Sequence, residues 1–448
     1  MSLIGSLNAA VGGMNAQAAA LSSISDNVAN SQTVGFKETD TAFADYVTQS
    51  SATFHAPGAV IGLPQYTNSV EGTVTQVANP TALAVSGSGF FAVQLPTGPT
   101  TFNPQQFYTR AGDFKPDNND NLVNSSGYVL DGWPATNAAG TTFDTNGLGP
   151  IKISQDPSAP VPTANVTLAA NLPASPPVGT TNYSSTVQVH DASGSTQNVT
   201  LNWAQLTAAG PVSGTNPVSA TNPILPNQWD LTVNAPTATA GPTSGPYLVT
   251  FGATPADAGT ITSIGAAGRG VGAPGATGTP ATINLALNFG LGAQPIALNL
   301  GQFGSTTGVT QFAGTNYAVA SQTQDGSTQG NFSSVTVRPT GDVVINYDNG
   351  SLKTVARVPL AHFGSPDSLQ QQDGQAFTAT TASGVANIVS AGTGGAGTLV
   401  VGAEEGSNVD IATQFTQMIV AQRAYTANSK VVTTANSMMQ DALNMIQG

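Results

Sequence analysis

The chain has 448 residues, of which only 7% are charged, and Lys+Arg number 10 against 23 Asp+Glu, a net charge of −13. Without a basic cluster this balance makes a poor phosphate-backbone binder and argues against docking on anionic lipid. The absence of cysteine excludes disulfides, thiolate-held metals and thiol catalysis.

The length allows two or three domains with cores of their own. With so few charges, Ser, Thr, Asn, Gln and Gly must cover the surface, as on many extracellular proteins. No Lys or Arg precedes Lys37, so the positively charged start of a cleaved secretory signal is missing. No run of about 18 apolar residues occurs, so no membrane insertion is expected.

Residues 3–28 predict a long helix with Leu7, Ala10, Met14, Gln17, Leu21, Ile24 and Val28 on one seam. Gly12 and Gly13 interrupt it, each costing about 1 kcal/mol relative to Ala while letting another backbone approach closely. Residues 37–74 are Thr/Ser-rich with few clear elements. From Ala82 short strands begin, with Ala82–Val85 and Phe90–Leu95 around Gly87-Ser88-Gly89, and Leu122–Val123 and Tyr128–Leu130 around a Ser125–Gly127 turn. Residues 151–320 read as alternating strands between Pro/Gly/Thr loops, the pattern of a β-sandwich or barrel. Hairpins return at 331–363, where Asp348-Asn349-Gly350 is a strong turn signal.

Residues 411–446 predict a second helix, about 55 Å long. One line on it is apolar throughout: Ile411, Met418, Tyr425, Val432, Met439 and Ile446. A second, Phe415, Gln422, Ser429, Asn436 and Leu443, is polar in its middle. Asn408 or Ser407 is a plausible N-cap, with Asp410 in the first turn. The outer positions carry Ala, Thr, Gln and Asn in place of the Glu/Lys pairs that solubilise an exposed coiled coil. Most of the helix circumference is therefore expected to meet protein, in other copies of the chain. A helical hairpin closed within one chain is the competing reading.

Chemistry-bearing motifs are weak. Gly392-Thr393-Gly394-Gly395-Ala396-Gly397 fits the dinucleotide-binding glycine spacing but leads into a strand-like run, Thr398–Val401, where a helix is required. Asp117, Asn119 and Asn121 alternate like a calcium loop but lack its glycine and terminal Glu. His55, His190 and His362 are isolated, and His190-Asp191 with Ser193 and Ser195 lies in one local stretch, unlike triad partners that converge from distant segments. Glu404-Glu405 reads as a helix-dipole pair before the second helix. No enzyme, cofactor or metal site is expected.

Asn27-Val28-Ala29-Asn30 with Thr33-Val34-Gly35-Phe36-Lys37 resembles the signature of bacterial flagellar rod and hook axial proteins. So do Ser86-Gly87-Ser88-Gly89-Phe90-Phe91-Ala92-Val93, Tyr108–Phe114, and Gly127–Trp133. At the far end Glu405-Gly406-Ser407-Asn408-Val409-Asp410 and Met418–Tyr425, which includes Gln422 and Arg423, match the same family. Taking 108–133 as one, these are five matches in order, specific where one alone is not. The large 151–320 insertion resembles the hook (FlgE) form and not the distal rod form.

That resemblance implies a mixed fold: long terminal helices forming a coiled-coil inner domain, with two mainly-β domains nested between them. The implied division is 1–36 and 406–448 (helical), 37–74 (linker), 75–150 with 321–405 (a discontinuous β domain) and 151–320 (an outer β domain). It implies self-assembly through Leu7, Met14, Leu21, Ile24, Val28, Ile411, Phe415, Met418, Tyr425, Val432, Met439, Leu443 and Ile446. Asn27, Asn30, Gly35, Phe36, Asn408, Asp410, Gln422 and Arg423 carry the motif. The implied role is a curved tubular joint between rotary motor and filament. Its partners would be copies of itself, the distal rod, hook-cap and hook–filament junction proteins, and the flagellar type III export apparatus. A rod or junction protein, or a secreted β-rich adhesin, is the alternative.

Overall fold

The computed structural model describes residues 3–51, 54–98, 101–137, 140–176, 182–205, 227–235, 244–265 and 272–447. Two compact units emerge: 1–155 with 333–346 and 352–448, and 156–332 with 347–351.

The first unit holds both α-helices found among the described residues, α1 (Leu3–Ala29) and α2 (Ile411–Gln447). They run antiparallel: Asn27 meets Gln414, and a Cβ at Gly13 would stand 2.7 Å from the Asn428 side chain. The buried residues of α1 are Ala10, Gly13, Ala16, Ala20, Ile24 and Asn27; those of α2 are Gln414, Ala421 and Ala435. Gln414, Ala421, Asn428 and Ala435 stand seven apart, so they form one line along α2 facing α1.

This corrects the expected fold class. The chain is mainly β, with strands filling the sequence between one helix at each terminus, and the helix pair is not a coiled-coil domain. The reason lies in side-chain size. Knobs-into-holes packing needs large apolar residues on the facing line. Here that line is Ala, Gly, Gln and Asn, which brings smooth helix surfaces together without interlocking. The other side of α1 packs on a β-hairpin, so α1 has no single seam.

That hairpin is the element the sequence concealed. β1 (Thr39–Ser51) pairs antiparallel with β2 (Phe54–Tyr66) as a separate two-stranded sheet. Its Pro and Gly residues, Pro57, Gly58, Gly62 and Pro64, mask strand propensity, and a register shift near Val47 absorbs the irregularity.

The rest of the first unit is mostly one highly branched antiparallel sheet, beside two separate two-stranded sheets. Its aromatic centre is Phe90, Tyr108, Phe363 and Phe377, with edge-to-face pairs at 4.9–5.9 Å. The strands Leu83–Ser86 and Phe90–Gln94 flank the Gly87–Gly89 turn as expected but do not pair with each other. Leu83–Ser86 joins Thr398–Val401, whereas Phe90–Gln94 enters the large sheet. Gly87 and Gly89, at φ of +98° and +137°, let the chain cross between the two sheets. Asp342–Tyr347 and Leu352–Arg357 pair across Asn349-Gly350, as the turn signal predicts.

The second unit is a β-sandwich. One sheet is an antiparallel meander of Asn182–His190, Thr196–Gln205, Gln228–Asn234, Ser244–Phe251 and Ile261–Ile264. The other contains Pro280–Asn288, Ala293–Gln302, Asn165–Asn171 and Val309–Thr310, with Ala318–Gln324 on Asn165–Asn171. Alternation closes the core: in Pro280–Asn288, Ala281, Ile283, Leu285 and Leu287 are buried while the residues between them are exposed. Trp203, Trp229, Phe251 and Leu298 from the two sheets share one cluster.

Candidate functional site

Three of the motif segments converge on one buried carboxylate. Glu405 lies in the short strand Ala403–Glu405, just before α2. Its Oε1 accepts from Lys37 Nζ at 2.5 Å and from the Gly72 amide at 2.9 Å. Its Oε2 accepts from Arg110 Nη1 at 2.9 Å. All three charged side chains are at most 2% exposed. Lys37 also donates to the Val70 carbonyl at 2.6 Å, and Arg110 to the carbonyls of Gly87 and Val85. The Arg110 guanidinium rests over the Phe90 ring, 5.1 Å from its centroid.

Burial alone would push Glu405 up, but Arg110 and Lys37 together hold it below the ordinary carboxylate value. Lys37 is pulled down by burial, against the attraction of Glu405, and the Arg110 charge adds to the downward pull. Glu405 is thus the anion that makes two buried cations tolerable. A second ring of hydrogen bonds surrounds this junction. Gly35 donates its amide to the Glu405 carbonyl at 2.7 Å. Its φ is +70°, and a Cβ there would overlap the Ala111 backbone. Asn408 Oδ1 accepts from the Glu38 amide at 2.7 Å while its amide group reaches the Thr67 hydroxyl. Gln414 bridges Asn27 and the Glu38 carboxylate. Burial raises Glu38, with the Gln414 hydrogen bond opposing, and Asp40 and Asp410 add to the rise.

The predicted motif residues divide by place. Asn27 and Phe36 are buried, and Asn27 clasps Thr39 from both ends of its amide. Asn30 turns back to the Asp26 carbonyl and carboxylate. The α2 cap is Asp410, whose carboxylate accepts from the Ala412 and Thr413 amides; Asn408 and Ser407, the expected caps, are engaged elsewhere. Gln422 and Arg423 are exposed. Among the helix-seam residues, Ile24 is buried, and Leu7, Met14, Leu21, Val28, Met418, Val432 and Met439 are half-buried. Ile411, Phe415, Tyr425 and Leu443 are exposed in the single chain. The side chains of Ile446 and His55 lie outside the described residues.

Sequence reasoning missed the junction. Glu405 is not a dipole partner of α2 but the bridge between Lys37 and Arg110. The available signal was scarcity: in a chain with 7% charge, Lys37, Arg110 and Glu405 each fall inside a motif segment. The weak catalytic motifs resolve into turns. The Asp191 carboxylate caps the Ser193 and Ser195 amides, and that of Asp117 caps Asn119 and Asn121. The glycine loop at 392–397 does lead into the strand Thr398–Val401. Among the described residues no cluster of three metal-ligating acidic or His side chains occurs.

Four family models match in chain order. They are "Flagella basal body rod protein" (7–37), "Flagellar hook protein FlgE/F/G D1 domain" (84–170), "Flagellar basal body protein FlaE D2 domain" (163–327) and "Flagellar basal body rod FlgEFG protein C-terminal" (400–445). Flagellar hook protein FlgE of Brucella abortus is 33% identical over 452 residues, covering 99% of this chain and all of the relative. The chain belongs to the flagellar hook protein FlgE family. FlgE of Salmonella typhimurium is 30% identical over 454 residues, covering 98% of this chain and all of that protein. A crystal structure of Helicobacter pylori FlgE2 aligns with a TM-score of 0.49 at 13% identity, over 72% of this chain and 98% of that one. The chain is accordingly a structural subunit of the bacterial flagellar hook and not an enzyme. It resides in the flagellum and assembles with its own copies and with other flagellar proteins. No described helix is long and apolar enough to cross a membrane.

Proposed function

We propose that copies of this chain polymerise into a curved, hollow universal joint that passes torque from motor to filament and encloses an export channel. The terminal segments 1–36 and 406–448 line the channel, 75–150 with 321–405 form the middle wall, and 151–320 forms the outer wall. The observation that carries this reading is the outer surface of α2. Ile411, Phe415, Ile419, Val420, Tyr425, Val431, Met438, Leu443 and Met445 are all 40% or more exposed on a helix with only three charged residues. So much large apolar surface on one element marks a contact made by other molecules. The half-buried seam residues Leu7, Met14, Leu21, Val28, Met418, Val432 and Met439 contribute to the same contacts from the flanks.

The buried junction at Glu405 anchors the roots of both helices to the β domain, so torque on the helices is delivered to the wall through paired, desolvated charges. The outer wall, poor in charge, makes soft polar contacts that slide as the tube bends. The ends of the tube meet the distal rod protein, the hook cap and the hook–filament junction proteins. Export runs through the flagellar type III apparatus without cleavage of the N-terminus. Electron microscopy of polymer grown from the purified full-length chain tests the reading. Curved hollow tubes are expected; short straight rods, or no polymer, would overturn it.

A further inference from the structure

Asparagine followed by glycine is the dipeptide most prone to convert itself in water, and the chain contains two such pairs, Asn146-Gly147 and Asn349-Gly350. The reaction requires the backbone nitrogen of the second residue to reach the side-chain carbonyl carbon of the first. Glycine permits the approach because no Cβ crowds that nitrogen and its backbone is free to rotate. The fold treats the two pairs in opposite ways.

Asn349 is held at every reacting atom. Its Nδ2 donates to the Thr328 carbonyl at 2.6 Å, and its Oδ1 accepts from the Ser351 amide at 2.9 Å. The Gly350 amide, which would attack, donates to the Tyr347 carbonyl at 3.1 Å. The Asn349 side chain also packs on Gly330, where a Cβ would stand only 2.6 Å from its Oδ1. Asn146 is exposed, in the turn before the short strand Gly149–Pro150. Its backbone amide donates to the Asp144 carboxylate at 3.0 Å, but its side chain makes no hydrogen bond among the described residues. Nor does the Gly147 amide. A Cβ at Gly147 would meet nothing within 4 Å. Both reacting groups are therefore solvated and free to turn toward each other.

We propose that Asn146 is a site of spontaneous covalent modification in the folded chain, and that Asn349 is the same chemistry held shut by its hydrogen bonds. The inference is independent of the polymerisation reading. The Gly147 nitrogen loses its proton and attacks Asn146 Cγ. The N–Cγ bond forms, the Cγ–Nδ2 bond breaks, and Nδ2 leaves as ammonia, carrying a proton equivalent to the one lost. Water then opens the cyclic imide at either carbonyl, which gives aspartate or isoaspartate. One water is consumed and one ammonia released, with no oxidant, reductant or cofactor. Either product adds a negative charge to a chain already at −13, beside Asp144. The isoaspartyl product also reroutes the backbone through the former side chain. That change falls just ahead of Leu148, which packs against the aromatic centre, and of Gly149–Pro150, which pairs with Asp131 and Gly132. The conversion is one-way in water, so this turn records how long a chain has existed.

Mass spectrometry of the purified full-length chain, aged in mildly alkaline buffer, tests this. Peptides spanning each pair report amide-to-acid conversion, and fragmentation separates isoaspartate from aspartate. In the folded chain Asn146 should convert about tenfold faster than Asn349, whose hydrogen bonds must open before it can react. In the same chain unfolded by urea the two rates should converge, because the dipeptides are identical. Equal rates in the folded chain would overturn the proposal. So would an Asn146 that stays intact when folded over a time in which the unfolded chain converts. Gly147→Ala supplies a second check. The new Cβ enters open space at a backbone angle outside the left-handed region, so the turn is kept. Conversion at Asn146 should then slow toward the rate of Asn349. An unchanged rate would mean that the Gly147 nitrogen does not attack, and the proposal would fall.

Discussion

The sandwich unit and the helix-bearing unit solve the burial problem in opposite ways. In the sandwich, strands such as Thr196–Gln205, Pro280–Asn288 and Ala293–Gln302 alternate, and residues such as Leu285, Leu298, Trp203 and Trp229 meet inside one closed core. In the first unit, α2 turns Ala and Gln inward and leaves Phe415, Tyr425 and Leu443 outside. The first closes its core within a single chain; the second leaves large apolar side chains exposed on α2, the surface proposed above to meet other copies. A chain of uniform composition can thus divide stability from assembly by where it spends its large apolar residues.

The comparison breaks most severely if the helix ends are removed. Deleting 409–448 should abolish polymerisation in a sedimentation assay, while the sandwich keeps its thermal transition. Loss of that transition would mean the two regions are not separable. Next is the junction. Glu405→Ala leaves Lys37 and Arg110 buried without an anion and should cost about 3–5 kcal/mol, read by denaturant unfolding of the first unit only. An equal effect on the sandwich would contradict the division.

Proton linkage gives a third contrast. Asp131 is fully buried, with a single hydrogen bond from Gln106 at 2.8 Å, and burial raises it from 3.8 to about 7 despite that bond. Its folded-state value lies above its unfolded one. Its contribution is therefore present below pH 4 and is lost as pH rises through about 7, with a limit on the order of 4 kcal/mol. Asp131→Asn should flatten that fall in the first unit between pH 4 and 7. An unchanged profile would show that Asp131 is ionised in the folded state. The smallest effects sharpen the same picture. Asp410→Ala should remove a helix cap at about 1 kcal/mol, seen as faster amide exchange in the first turn of α2. In free subunits α2 amides should exchange faster than those of Thr196–Gln205, because the helix lacks its outer partners. Equal protection would mean that α2 is complete in one chain.

Much of the β architecture was legible. Asn349-Gly350 marked its hairpin because few residues tolerate its backbone angle (Gly350 φ +81°), and the period-2 runs marked the sandwich because burial on one face writes itself into alternation. The β1–β2 hairpin was illegible because its Pro and Gly residues hide strand propensity, and its partner face on α1 is remote from any local signal. The helix line facing α1 was misjudged for a similar reason. Large residues at heptad spacing look like a seam, and nothing local announces that Ala and Gln occupy it.

By itself the sequence determined that this is an acidic, cysteine-free, self-assembling chain with a helix at each end and strands between, because composition and periodicity are properties of the chain. Its motif segments also identified the family. Only the tertiary structure decided which side of α2 pairs within the chain, and that Lys37, Arg110 and Glu405 form one site. Those are meetings of residues up to 368 positions apart, and no local pattern encodes them. Desolvation makes the meeting specific: the Lys37 and Arg110 cations are tolerable in the interior only where the Glu405 anion meets them.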